Sequence, residues 1–453
     1  MNLHLPEKVN SVIRLLKDNG YEAYAVGGCV RDMVMGVEPH DFDITTSALP
    51  GETKKVFEGY RIIETGIKHG TVTVIIDGEP FEITTFRIDG DYLDNRHPET
   101  VNFSRNLKDD LSRRDFTMNT LCFNEQDGLV DLFGGIDDIK NETIRCVGEP
   151  DKRFSEDALR IMRAIRFASV LGFKIENETS KSILKNKELL NSIAVERIRE
   201  EFTKLICGKN VIDTVNEYRA IIEVIIPEFS PLFGCEQNTQ YHIYDVAEHT
   251  LRALDYIENN KTLRLAVFFH DIAKPLCKTT DQNGFDHFKG HAAAGEKMSK
   301  EILRRLRYDN KTVETVSKLI GLHSERSPRD KTEAKMMLCE IGEEYYSGFI
   351  KLRRADCFAK ADPHSHDEKL KKMQLLLNEI KENNECYSLK QLNINGNDLK
   401  NLGIYDGKEI NRMLRTLLMI VIEEECENSR DALLKKAEEL KQQGQNYVKK
   451  NQL

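Results

Sequence analysis

No Cys-x-x-Cys pair occurs among the ten cysteines of this 453-residue chain. Their scatter excludes the common zinc modules and a dithiol redox motif. Isolated thiols of this kind are small buried hydrophobes in a reducing compartment. No stretch is apolar for long enough to span a bilayer. The N-terminal MNLHLPEKVNSVIRLLKDNG is charged and amphipathic, without a signal-peptide core. A soluble, cytoplasmic protein with no membrane partner is therefore expected. There is no Pro/Gly/Ser-rich linker, low-complexity tract or clean repeat, so the joints between domains are expected to be packed. Positive charge is not in excess either: 66 Lys and Arg stand against 75 Asp and Glu, for a formal charge of −9. That balance argues against a partner held by bulk electrostatics, such as long nucleic acid.

The length suggests about three domains. Over the first ~145 residues short β-rich runs alternate with helical patterns, which predicts a mixed α/β region. A helix ends at Gly20, strands are expected over 21–26 and 41–44, and two further runs, 71–76 and 81–86, flank Asp77-Gly78 as a hairpin. Beyond about residue 150, apolar spacing of three and four predicts helix after helix.

The densest chemistry lies in AVGGCVRDMVMGVEPHDFDITT. Gly27 and Gly28 separate a strand from a helix expected near Val30, where backbone N–H groups can approach a triphosphate. Arg31 falls in the first turn of that helix and can grip a phosphate. Asp32 either complements the helix N-terminus or holds Arg31. Asp41 and Asp43, one residue apart on an extended segment, project to one face. Two carboxylates so placed need cations between them, and a pair of Mg²⁺ ions is the usual solution. Glu82 on the hairpin is a candidate third ligand.

GGCVRD followed by DFD resembles the signature of the class II tRNA nucleotidyltransferase/poly(A) polymerase family. RRDFTMNTLCF (113–123), DLFGGIDDI (131–139), RFSEDALRIMRAIRF (153–167) and VERIREEFTKLI (195–206) follow in that family's order. The resemblance covers about the first 210 residues. It implies that Gly28, Arg31, Arg114, Arg163 and Arg166 contact nucleotide, and that Asp41 and Asp43 are catalytic. The segment 86–103 resembles the flexible loop of enzymes that add a full CCA, although His97 stands where many relatives carry arginine.

Ser155 is expected to cap a helix with Glu156 and Asp157 in its first turn, placing Asp157 and Arg160 on one face. A carboxylate only accepts hydrogen bonds and a guanidinium only donates them. Cytosine and adenine each present an amino donor beside a ring-nitrogen acceptor, so one Asp/Arg pair matches either base. Uracil and guanine present the reverse pattern and leave both protein groups mismatched. The resemblance assigns the E-D-x-x-R element this template role.

A second constellation combines His249, His270, Asp271 and Asp356. It resembles the H…HD…D arrangement of HD-domain phosphohydrolases, with His291 and His323 where some members have further ligands or substrate contacts. Imidazole with carboxylate suits Mn, Fe, Ni or Co better than Mg alone.

The expected architecture is α+β and multidomain. A catalytic head covers 1–145, an all-α neck with the base-reading and RNA-binding elements 146–235, an HD-like helical domain 236–360, and a helical tRNA-binding body and tail 361–453. Asn395-Gly396 and Asp406-Gly407 are read as turns between tail helices. The expected activity is template-independent addition of CCA to the tRNA 3′ end from CTP and ATP, by a monomer or homodimer. Poly(A) or A-only polymerisation stays open, as does an HD phosphohydrolase with a sensor head.

Overall fold

A computed structural model describes residues 3–90, 101–362 and 367–450. The chain divides into two compact units, Met1–Pro231 with Ile302–Tyr308, and Leu232–Glu301 with Asp309–Leu453.

The first unit is built on a mixed sheet. Its strands belong to a series of nine: β1 (Ala23–Val26), β2 (Ile44–Thr46), β3 (Arg61–Ile63), β4 (Thr71–Ile76), β5 (Glu79–Thr85), β6 (Arg87–Asp89), β7 (Val101–Phe103), β8 (Cys122–Asn124) and β9 (Gly128–Val130). Seven of them lie in the order β3-β4-β5-β2-β1-β8-β9, while β6 and β7 form a separate antiparallel ladder. Central β1 is buried along its whole length and pairs antiparallel with both β2 and β8. The β4–β5 hairpin turns at Asp77 and Gly78, both at positive φ (51° and 82°), the geometry a two-residue turn demands.

Two expectations about this unit need correction. The strand expected over 41–44 begins only at Ile44. Beyond the Ala25–Ile44 pair, β1 ends at Val26 and Gly27 turns the chain away at φ +86°, which removes the ladder partner. The helix bearing the E-D-x-x-R element is not continuous. One helix covers Pro150–Glu156, Asp157 is extended (φ −138°, ψ 100°), and a second helix runs Leu159–Leu171. Ser155 lies inside the first helix, its hydroxyl donating to the Lys152 carbonyl, and is no N-cap. Instead Asp157 Oδ1 accepts from the Leu159 amide at 3.1 Å, so the residue starts the second helix from outside it. The second helix buries Ile161, Met162, Ala164, Ile165 and Phe167 and packs on the helix Val195–Ile206. One short parallel pairing, Thr143–Ile144 with Lys174–Ile175, joins the end of 1–145 to the helical stretch that follows.

In the second unit the helices Val246–Ala253, Lys261–Phe269, Asn310–Leu322 and Glu343–Phe358 pack together. Lys261–Phe269 is the most apolar, with Leu265, Ala266, Val267, Phe268 and Phe269 all fully buried. Asn395 and Asp406 do not sit in simple turns: each caps a helix, Gly396–Asn401 and Gly407–Ile422, through its side chain. Leu399, Leu417, Leu418, Ile422 and Leu433 close a separate core there.

Candidate functional site

Gly27 is a fixed point of the first site. At its positive φ a Cβ would stand 3.0 Å from Arg114 Nη1, so only glycine lets the turn and this guanidinium coexist. The following helix, Gly28–Val34, carries Arg31, which is buried. Asp32 Oδ1 accepts from Arg31 Nε at 2.9 Å and Nη2 at 2.7 Å, and Asn119 Oδ1 accepts from Nη1 at 2.9 Å. Of the two roles open to Asp32, the structure selects the one that holds Arg31.

Asp41 and Asp43 lie exposed in the extended segment entering β2. The Asp43 carbonyl accepts from the Val26 amide at 3.0 Å, which tethers that segment beside the glycine turn. Among the described residues no hydrogen bond or ion pair engages either carboxylate. Glu82 directly precedes Ile83, the parallel partner of Ile44, just as Asp43 precedes Ile44. Carboxylates of this kind are the hard-oxygen donors that Mg²⁺ takes.

Arg113 and Arg114 flank buried Asp110, at 2.6 Å and 3.4 Å. Burial opposes ionisation of Asp110, but the two guanidinium groups outweigh it and hold the carboxyl below the usual range. Arg114 Nε is buried without a partner, so one donor of the motif is unsatisfied. Nearby Cys29 and Cys122 are pushed up by burial to about 11 and about 12, which keeps both thiols protonated.

The base-reading residues are close in sequence but separately engaged. Asp157 accepts from Arg197 Nη2 at 2.9 Å and Nη1 at 3.3 Å. Arg160 Nη1 donates to the Arg153 carbonyl and to Glu156 Oε2, and its Nη2 donates to the Arg113 carbonyl. One Nη2 hydrogen and the Nε hydrogen of Arg160 remain outside these bonds. Arg163 is bound to Asp115 at 2.6 Å, and Arg166 to Glu201 at 2.8 Å. Arg31, Arg163 and Arg166 all approach the Phe167 ring, at 5.1, 5.5 and 3.6 Å. Asn119 Nδ2 also donates to Asp115 Oδ1, so a continuous polar chain runs from Arg31 through Asn119 and Asp115 to Arg163. Burial opposes ionisation of Asp115, yet Arg163, Asn119 and the Phe116 amide hold its carboxyl far below the usual range. Sequence reasoning missed Asn119, Arg197 and Glu201. Only the motifs RRDFTMN and VERIREE hinted at them. Residues 91–100, including His97, lie outside the described residues.

The second unit brings its own cluster together. His249 Nε2 is 3.0 Å from Asp356 Oδ1 and 3.6 Å from Asp271 Oδ2; His270 Nε2 is 3.0 Å from Asp271 Oδ2. On the other side of Asp271, Oδ1 faces His291 Nε2 at 3.5 Å and His323 Nε2 at 3.7 Å. The Nδ1 atoms of all four histidines face backbone carbonyls, of Ala359, Val267, Phe288 and Ile320. The Nε2 atoms of all four therefore face the two carboxylates at the centre of the cluster. His291 Nε2 and His323 Nε2 lie 3.0 Å apart, and His270 Nε2 and Asp271 Oδ2 are both buried. Lys274 and Lys360 lie 2.7 Å from Asp271 and Asp356. Burial works against both carboxylates, but His270 with Lys274, and Lys360 with His249, hold them well below the usual range.

A glycine turn, paired free carboxylates and a ring of arginines on this sheet define a nucleotidyltransferase of the polymerase-head class, and residues 23–145 match the family described as the poly A polymerase head domain. Residues 172–232 match the RNA and SrmB-binding site of polymerase A, and 289–437 match tRNA nucleotidyltransferase domain 2. The CCA-adding enzyme of Limosilactobacillus fermentum is 35% identical over 96% of this chain and 97% of its own length. The chain belongs to the CCA-adding enzyme family. The CCA-adding enzyme of Lactobacillus helveticus is 54% identical over 44% of this chain, and the matched part is 50% of that protein's length. In structure the chain resembles the Bacillus stearothermophilus CCA-adding enzyme in complex with CTP, with TM-score 0.73, 28% identity, and 97% of this chain and 98% of the other covered. Among the described residues no helix is long and apolar enough to cross a membrane.

Proposed function

We propose that this protein adds C, C and A in turn to the 3′ end of tRNA, using CTP and ATP, in the cytoplasm. The observation that carries the reading is the placement of free Asp41 and Asp43 carboxylates beside the Gly27 turn and Arg114, in a chain of this family. Head, neck, HD-like domain and tail take the boundaries read from the sequence: 1–145, 146–235, 236–360 and 361–453.

The tRNA 3′-hydroxyl oxygen bonds to the nucleotide α-phosphorus as the bond to pyrophosphate breaks. Asp41 and Asp43, with Glu82, would hold two Mg²⁺ ions, which when bound neutralise charge on the attacking and leaving oxygens. The Gly27–Gly28 turn brings backbone close to the phosphates. Arg31, locked by Asp32 and Asn119, serves as a fixed positive charge there, and Arg114 adds a second. Asp157 accepts from the amino group of cytosine or adenine, while the remaining Arg160 hydrogens donate to the adjacent ring nitrogen. Arg163 and Arg166 contact the bound nucleotide from the helix Leu159–Leu171. A full-length Asp41→Ala, Asp43→Ala protein is expected to incorporate no CMP or AMP into tRNA lacking CCA, with an unchanged circular dichroism spectrum. Retained incorporation overturns the assignment.

A second reading concerns the histidine cluster and is favoured by one observation, the convergence of four histidine Nε2 atoms on buried Asp271. His249, His270 and Asp271 form one ligand set, with Asp356 3.0 Å from His249, and His291 and His323 form another, Asp271 being shared by its two oxygens. Imidazole and carboxylate donors fit Mn, Fe, Ni or Co. Elemental analysis of purified protein is expected to find such a metal, and to find it diminished in His270→Ala. A wild type without metal after reconstitution with Mn²⁺ sinks this reading and leaves the transferase untouched.

A further inference from the structure

The proposed transferase leaves one fully buried carboxylate without a role: Asp110, on the short helix Leu107–Ser112. We infer that it is a positioning residue, which fixes the guanidinium of Arg114 against the segment that carries Asp41 and Asp43. The inference rests on the transferase reading above. Four donors converge on the Asp110 carboxylate. Oδ1 accepts from Arg113 Nε at 3.0 Å and Nη2 at 2.6 Å. Oδ2 accepts from Thr45 Oγ1 at 3.1 Å, and Arg114 Nη2 lies 3.4 Å from the same oxygen. A carboxylate accepts at every site and donates at none, so only an ionised acid satisfies this set.

Thr45 supplies the link to the catalytic carboxylates. It stands two residues beyond Asp43, where alternation along an extended run puts both side chains on one face. The two arginines are used differently. Arg113 clasps Oδ1 and so fixes the acid itself, while its own carbonyl accepts from Arg160 Nη2 at 2.8 Å. Arg114 makes one long contact to Asp110, and among the described residues its Nη1 and Nε make no hydrogen bond. Those are the donors a phosphate can take, and their direction is set by where Asp110 holds Nη2. Burial opposes the charge of Arg114, yet Asp110 leads the neighbours that hold its pKa above the usual value.

The test is a double-mutant cycle on full-length protein with Mg²⁺, read as single-turnover addition of CMP from CTP to tRNA lacking CCA. Asp110→Asn keeps the shape of the side chain but sets an NH₂ donor among donors. It is expected to slow addition by about tenfold or more, and Arg114→Ala by about a hundredfold. Because Asp110 acts through Arg114, the double variant is expected to match Arg114→Ala within about twofold. A purely structural loss, such as a smaller folded fraction, would instead multiply with the Arg114→Ala loss. Thr45→Val runs the same cycle without removing a buried charge, and so decides the matter even where Asp110→Asn does not fold. It is expected to slow the wild type by about threefold and Arg114→Ala not at all. A wild type that adds no CMP overturns the transferase reading and this inference together. Where the wild type does add CMP, losses that multiply, or full activity in Arg114→Ala or in folded Asp110→Asn, overturn this inference alone.

Discussion

In the proposed base-reading role of Asp157, Arg197 sets how the carboxylate is presented. Its two Nη atoms clasp the carboxylate, leaving Asp157 free to accept from a base while fixing where its oxygens lie. A hydrogen bond to a charged group, partly screened as here, is worth about 1–2 kcal/mol. Arg197→Ala is therefore expected to lower the kcat/KM preference for CTP over UTP by about tenfold, with CTP turnover still measurable. An unchanged preference removes Arg197 from base selection. Gly27-Gly28 and the paired aspartates were legible because their meaning is local: a positive φ, a missing Cβ, two carboxylates one residue apart. Arg197 and Asn119 were not, because each acts through a partner 40 or more residues away. Nothing in the spacing of VERIREE tells a surface arginine from one that clasps Asp157.

Among the elements, the break at Asp157 is the most consequential. The capping signal at Ser155 placed Glu156, Asp157 and Arg160 on one helix. The carboxylate instead leaves the helix to bond the Leu159 amide, which turns it toward Arg197. The β4–β5 hairpin, by contrast, was readable outright, since Asp-Gly supplies the turn and alternation supplies the register. One contact between the segments 1–145 and 146–235 is the pair of buried Asp115 with Arg163. Asp115→Asn is expected to destabilise the protein by about 2 kcal/mol at neutral pH, below the range for fully buried pairs because Arg163 is partly exposed. The sign with pH follows from the depressed carboxyl. Its stabilisation is complete above the ordinary value of 3.8 and is lost as pH falls through the lower value of the folded state. Denaturation of both proteins should show the gap between wild type and Asp115→Asn closing as pH falls below 3.8. A gap constant with pH contradicts an ionic role.

For the whole molecule, the charge of −9 was a poor guide to its partner. Arg31, Arg114, Arg163 and Arg166 are each matched by an acidic neighbour, so these arginines add little to net charge while presenting fixed donors locally. Such a surface suits a short structured RNA held at its end. The two compact units follow neither the composition nor any linker, because no linker exists; their division became visible only in three dimensions. The measurement that bears most directly on the whole account is stepwise addition to tRNAs ending before the first C, after C and after CC, each with Mg²⁺ and a single nucleotide. CMP should enter the first two, AMP only the third, and UMP or GMP none. AMP entering every end with no CMP incorporated would contradict it.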